Sequence, residues 1–221
     1  MQDRIILTIG RQFGSGGREI GKKLSAALGI GYYDKELMVE AAKDSGLCQE
    51  AFERADERTA NSLAYMFTMG GPYLSMFTPY VDILSNDQLF KLQSDTIRKL
   101  AERESCVLVG RCADYILRDD PACVSFFIHN SWANRIERVT RQLGVSVEEA
   151  QELMAKKDKS RAAYYNYYTN KTWGMAASYD LCIDASILGL EETVAYILRF
   201  IERRKALRQQ RKEAERPPHF G

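Results

Sequence analysis

The first apolar run of the chain, residues 4–10 (Arg-Ile-Ile-Leu-Thr-Ile-Gly), is short, unbroken and rich in β-branched side chains. That pattern predicts a strand covered on both faces rather than an amphipathic helix. Over residues 19–28 the spacing changes, with Ile20, Leu24, Ala27 and Leu28 recurring at helical intervals and Gly29 placed to close the helix. Residues 30–34 are a brief apolar and aromatic stretch ending in Asp34, and residues 35–44 have helical composition. Three more runs read as buried strands, at 106–110, 122–129 and 179–184. Helical patterns separate them: the end of one helix at 95–103, then 131–142, 146–157 and 190–204. Ser146 followed by Glu149 has the spacing of a capping box, and Glu191 and Glu192 suit the positive end of the last helix. Strand and helix alternate, which predicts an α/β fold of three layers, a parallel sheet flanked by helices on both faces.

Residues 46–94 break this regularity. Met66, Met69, Met76, Phe67, Phe77, Tyr65, Tyr73 and Tyr80 crowd around Gly70-Gly71-Pro72 and Pro79, which reads as helices interrupted by a loop. Such a cluster packs a local core or a homodimer surface; a lid over a substrate is the alternative. After Arg203 the chain is nearly all charge and glutamine up to Pro217-Pro218, the composition of a solvated helix fraying into disorder.

Across 221 residues, Lys+Arg 31 nearly balance Asp+Glu 30, a formal charge of +1. No overall field draws the chain to nucleic acid or to an anionic membrane, so any bound anion needs a local site. The five cysteines are scattered without a Cys-x-x-Cys pair, and only two histidines accompany them. This argues against a zinc framework or a disulfide scaffold and for reduced core thiols in a cytoplasmic protein. No run approaches the roughly 18 apolar residues of a membrane span, and the N-terminus shows no export signal.

The chemistry begins at Gly10-Arg-Gln-Phe-Gly14-Ser15-Gly16-Gly17-Arg18-Glu19, which joins the first strand to the first helix. Glycines there let backbone N–H groups turn onto an anion while the new helix points its positive end at the same place, forming a phosphate cradle. Against G-x-x-x-x-G-K-[ST], the register aligning Arg18 with the lysine puts Gln12 and Gly17 at the two glycines and Glu19 at the hydroxyl position. Arg18 keeps a permanent charge, and Glu19 is the candidate magnesium ligand. An ordinary tight turn is the bland alternative. Arg111 follows the strand at 106–110 and reaches the same sheet edge, either to clamp a second phosphate or to cap a helix. Arg135 and Arg138 share a helix face, and the charge continues through Lys156, Lys157, Lys159 and Arg161. These form a solvated face unless the helix folds back over the glycine loop, where they would surround a moving phosphoryl group. Asp34 reads as a ligand for a sugar or base, or as a helix N-cap. Tyr164, Tyr165, Tyr167, Tyr168 and Trp173 read as packing first and as a base-stacking surface second. His129 carries no assigned role.

Taken together, residues 9–21 with their glycine loop, Tyr-Tyr-Asp34, Val-Leu-Val-Gly-Arg-Cys-Ala-Asp114, the Arg135/Arg138 pair, Asp158-Lys-Ser-Arg161-Ala-Ala-Tyr-Tyr and Tyr-Asp-Leu-Cys-Ile-Asp184 resemble the cytidylate-kinase-like family of P-loop nucleoside monophosphate kinases. The resemblance spans nearly the whole chain. It implies a P-loop NTPase fold over residues 1–204, with 58–92 as a helical insertion or acceptor-side subdomain, a lid at 156–174 and a charged tail at 205–221. It further implies ATP and Mg²⁺ at Gly14, Ser15, Gly16, Gly17, Arg18 and Glu19 with help from Lys157. A nucleoside monophosphate such as CMP or dCMP would lie near Asp34, Arg111, Asp114 and Arg135. Arg18, Arg138 and Arg161 would then serve the transfer itself. Cytidylate kinases proper carry lysine where this chain has Arg18 and an Asp where it has Val109. Two rivals therefore stand beside the kinase: a nucleotide-binding regulatory protein without turnover, and a kinase for another small molecule.

Overall fold

The computed structural model describes residues 4–34 and 86–214. The helix expected at 35–44, the methionine and aromatic cluster and the end of the charged tail lie outside the described residues.

Five parallel strands, β1 (Ile6–Arg11), β2 (Gly31–Tyr33), β3 (Cys106–Val109), β4 (Cys123–His129) and β5 (Leu181–Asp184), form one sheet in the order β2-β3-β1-β4-β5. β1 is central because its run is apolar without interruption. It pairs Ile6 with both Cys106 and Cys123, and Ile9 with both Val109 and Phe126. Its side chains alternate between two cores. Leu7 and Ile9 join Val107, Val109, Phe126 and Ile128 beneath α1 (Gly17–Leu28) and the last helix, α6 (Ala185–Ala214). Ile6 faces the other way, with Leu108, Cys123 and Phe127, beneath α2 (Asn86–Arg103), the short α3 (Ala113–Ile116) and the far end of α5 (Val147–Thr169). Helices on both faces of a parallel sheet make the expected three-layer α/β architecture.

The local signals mark the helix ends. Gly29 ends α1 in the left-handed conformation (φ 62°). Ser131 caps α4 (Trp132–Leu143), accepting from the Asn134 N–H, and both arms of the Ser146–Glu149 capping box are formed at the start of α5.

Two elements exceed their sequence boundaries. α5 runs past Lys157 to Thr169, so the basic stretch and the tyrosine segment belong to one helix. α6 starts at Ala185, breaks at Gly189 (φ 71°, ψ 177°) and continues past Arg204 to Ala214. Arg204 Nη2 donates to the Cys123 carbonyl at 2.9 Å, and Arg208 bonds the Pro121 carbonyl. These contacts dock the beginning of a segment whose composition alone reads as solvated.

The tyrosines do the packing that their density suggests. Tyr168 stacks on Phe90 with ring centroids 4.1 Å apart, Tyr164 meets the same ring edge-on, and Tyr165 lies against Tyr179. Cys106, Cys112 and Cys123 are buried free thiols, and burial pushes Cys106 and Cys123 up to about 12.

Phe126 is fully buried between β1, β5 and α6. Phe126→Ala is expected to cost about 3 to 5 kcal/mol, read as a fall in the urea midpoint at unchanged slope. A midpoint within error of wild type would show that this face of the sheet does not hold the fold.

Candidate active site

In a parallel sheet the loops that leave the C-terminal strand ends converge on one edge, where ligand crevices form. Here the glycine loop after β1, Asp34 after β2 and Gly110–Cys112 after β3 border a cleft of about 660 Å³, with α4 and α5 along its other side.

The loop's shape follows from two glycines at positive φ. Gly14 (φ 77°) lies under α4, where an added Cβ would come within 2.8 Å of Val139. Gly16 (φ 86°) is the last residue before α1, and a Cβ there would meet Leu190 at 2.5 Å. Any other residue would be strained and crowded at both places. The N–H groups of Gly14 and Gly16 make no hydrogen bond among the described residues. Two free amides at the start of a twelve-residue helix suit an anion.

The loop is braced from outside. Asp158 Oδ1 accepts the Phe13 N–H at 2.7 Å, Arg135 Nε donates to the Phe13 carbonyl at 2.7 Å, and Arg135 and Asp158 are themselves ion-paired. Arg161, one turn beyond Asp158, donates to the Arg11 carbonyl at 3.1 Å. From β4, the Asn130 N–H bonds the Gln12 side chain at 3.2 Å. α5 thus folds back over the glycine loop, the arrangement in which its basic residues gain a role.

Most sequence candidates line this cleft: Gly14, Gly16, Arg18, Glu19, Asp34, Arg111, Asp114, Arg138, Lys157 and Arg161. Ser15, Gly17 and Arg135 do not. Ser15 is buried, its hydroxyl donating to the Gln12 carbonyl at 2.9 Å. Arg135 is 3% exposed and occupied by Phe13 and Asp158, so it shapes the loop from behind. Arg18 and Asp34, assigned on sequence to opposite substrates, meet: Arg18 Nε and Nη2 donate to Asp34 Oδ2 at 2.8 and 2.5 Å. Glu19 is ion-paired with Arg138. Asp114 accepts from the Tyr165 hydroxyl at 2.8 Å, and burial raises its carboxyl against that bond.

Sequence reasoning misses three residues. Asp158 lies in a motif that resembles the family, yet nothing local shows that it holds Phe13. Asn130 could have been noticed as an amide at a strand end. Arg11 hides because β1 ends on it and the loop's glycines draw attention past it. Its guanidinium enters the cleft, where burial and the neighbouring Arg161 and Arg111 push its pKa down to about 9; Tyr32 and Asp34 offset only part of this. Behind Gly110 (φ 84°), Arg111 and Cys112 also hold left-handed backbone, at φ 57° and 56°. Two consecutive non-glycine residues in that region are a strained turn of the kind that functional sites retain.

Seven basic side chains face three carboxylates in the cleft, although the whole chain carries only +1. Among the described residues no three His, Cys, Asp or Glu side chains gather as a metal cage. Magnesium that arrives on nucleotide phosphates with its own water needs only one or two carboxylates, and Glu19 in the first turn of α1 fits that demand.

A parallel sheet with a glycine loop opening the first helix is the fold of P-loop kinases, and comparison bears this out. A shikimate kinase from Bacteroides thetaiotaomicron superposes with a TM-score of 0.52 at 14% identity, over 90% of this chain and 98% of that one. The model of the cytidylate kinase-like family matches residues 6–187, and the chain belongs to that family. A cytidylate kinase from Methanopyrus kandleri is 23% identical over 202 residues, covering 87% of this chain and 91% of that protein. A crystal structure of an uncharacterized protein from Eubacterium ventriosum ATCC 27560 aligns at 32% identity with a TM-score of 0.69, over 90% of this chain and 99% of that one. Family and fold support phosphotransfer as the chemistry. Among the described residues no helix is long and apolar enough to cross a membrane.

Breaking a buried ion pair from one side leaves the other charge stranded. Asp158→Ala is therefore expected to lower stability by about 3 kcal/mol, and Asp158→Ala with Arg135→Met to regain part of it, both read by urea denaturation. Equal midpoints for wild type and Asp158→Ala would show that the brace does not stabilise the fold.

Proposed function

We propose that this protein transfers the γ-phosphoryl group of Mg²⁺-ATP to the phosphate of a nucleoside monophosphate, CMP or dCMP being the acceptors that the family favours. The observation that carries the reading is the pair of amides at Gly14 and Gly16, without a hydrogen bond among the described residues, in a cation-lined cleft. The bond from the γ-phosphorus to the ADP oxygen breaks and a bond to an acceptor phosphate oxygen forms, giving ADP and a nucleoside diphosphate. Such transfers demand positioning and charge neutralisation rather than covalent participation by the protein.

The amides of Gly14 and Gly16 hold the donor phosphates with Lys157. Arg138 and Arg161, on facing helices, neutralise the moving group. Arg111, after the strained turn of β3, holds the acceptor phosphate, and Asp34 with Arg18 and Asp114 line the acceptor side. Glu19, ion-paired with Arg138 in this structure, is the carboxylate that would hold a magnesium ion, which would supply charge neutralisation for the donor phosphates. Arg135 keeps the loop in shape. The engagement of Arg18 by Asp34 favours one rival, a nucleotide-binding protein without turnover, because it takes the aligned cation off the donor side.

A coupled assay with Mg²⁺-ATP and a panel of nucleoside monophosphates separates these readings. ADP release is expected to depend on CMP or dCMP, and Arg161→Ala to lower kcat about a hundredfold. Mg²⁺-ATP binding by calorimetry with no turnover of any monophosphate would leave the rival standing and the kinase reading lost.

A further inference from the structure

A phosphate-binding loop of the pattern G-x-x-x-x-G-K-[ST] places a lysine directly after its second glycine, so that an ammonium reaches the β- and γ-phosphates. Matching this pattern on residue types puts Arg18 in the lysine's place. The backbone argues for a register one residue earlier. Gly16 is the glycine whose positive φ ends the loop, and α1 begins at the next residue. Counted from Gly16, the lysine position is Gly17, which has no side chain, and the first-glycine position is Arg11. The two residue types have changed places.

The space that a side chain at Gly17 would enter is filled by Arg11. A Cβ built on Gly17 would lie 2.7 Å from Arg11 Cβ and 3.2 Å from its Cγ. The Arg11 guanidinium then runs along the end of β3, where a Cβ on Gly110 would fall 2.0 Å from Nη1, so a side chain at 110 would displace it from this path. It emerges in the cleft with no hydrogen bond or ion pair among the described residues. The charges facing it are Arg161 from α5 and Arg111 from the β3 turn, with Asp34, already bonded to Arg18, as the opposing carboxylate. Arg161 has Asp158 beside it at 3.9 Å, but the buried Arg11 guanidinium has no ion pair of its own among the described residues, and a charge so placed needs an anion.

We propose that Arg11 is the cation that grips the terminal phosphate of the nucleoside triphosphate, doing from the end of β1 what the lysine of the ordinary loop does from the start of the helix. The inference rests on the phosphotransfer reading above. It gives the loop its missing charge without taking Arg18 from Asp34, and it explains why Gly17 and Gly110 both lack side chains. Arg161 completes the anion site around the same group, and Arg111 stands between it and the acceptor side.

The test exchanges the two positions. Mg²⁺-ATP binding by calorimetry and turnover in the coupled assay are measured for wild type, Arg11→Met, Arg11→Gly and the double variant Arg11→Gly/Gly17→Lys, with thermal melts to verify folding. Arg11→Met is expected to lose about a hundredfold in kcat/KM. The double variant, which restores the ordinary layout, is expected to recover about tenfold or more over Arg11→Gly. Recovery by a lysine supplied from the helix cannot come from packing alone, so the result holds even if Arg11→Met folds poorly. A wild type that transfers phosphate while Arg11→Met does so equally well, or a double variant no better than Arg11→Gly, overturns the assignment of Arg11 and leaves the kinase reading intact. A wild type that neither binds Mg²⁺-ATP nor turns over overturns both.

Discussion

The site depends on how the backbone of one residue is held. Both polar groups of Phe13 are taken by side chains, its N–H by Asp158 and its carbonyl by Arg135, and those two side chains hold each other. A loop with glycines at 14, 16 and 17 loses more backbone freedom on ordering than any other residue type would. Without an external hold, its amides would not stay pointed at one place. The brace comes from α4 and α5, so the loop that presents amides and the helix that presents cations are positioned by the same contact. Arg161, three residues after Asp158, donates to the Arg11 carbonyl and extends that coupling to the end of β1.

The price of this arrangement is electrostatic and conformational. Cations accumulate where burial weakens their hydration, lowering Arg161 as well as Arg11. The β3 turn keeps Arg111 and Cys112 in backbone that non-glycine residues avoid. The surrounding structure tolerates both because the sheet beneath is packed on each face, with Ile6 to Ile9 of β1 buried and paired on both sides. A phosphate group entering the cleft would relieve the repulsion, and charge placed before the ligand arrives needs no reorganisation during transfer.

The aromatic residues do the complementary work of keeping the walls in place. Tyr164 and Tyr168 lock α5 to α2 through Phe90, and Tyr165 ties α5 to Asp114 beside the cleft. The helix that carries Asp158 and Arg161 is therefore closed at its start by the capping box at Ser146 and anchored at its far end by stacking at Tyr168. Tyrosines that line the cleft and pack the body couple the shape of the site to the stability of the layer that bears it.

The alternation of apolar runs and helical periods determined four of the five strands, their parallel packing and the place of the glycine loop, because strand burial, helix periodicity and glycine backbone freedom are local properties of the chain. The same locality explains the caps at Ser131 and Ser146, which are legible three residues at a time. What only the tertiary structure decided is which charges face which partners. Arg135 serves the loop rather than a ligand, Arg18 turns to Asp34, and Arg11 fills the volume left by Gly17, a neighbour six positions away whose missing side chain has meaning only once β1 and α1 are folded together. A long cationic side chain can reach many places from one backbone position, and packing in three dimensions leaves it one.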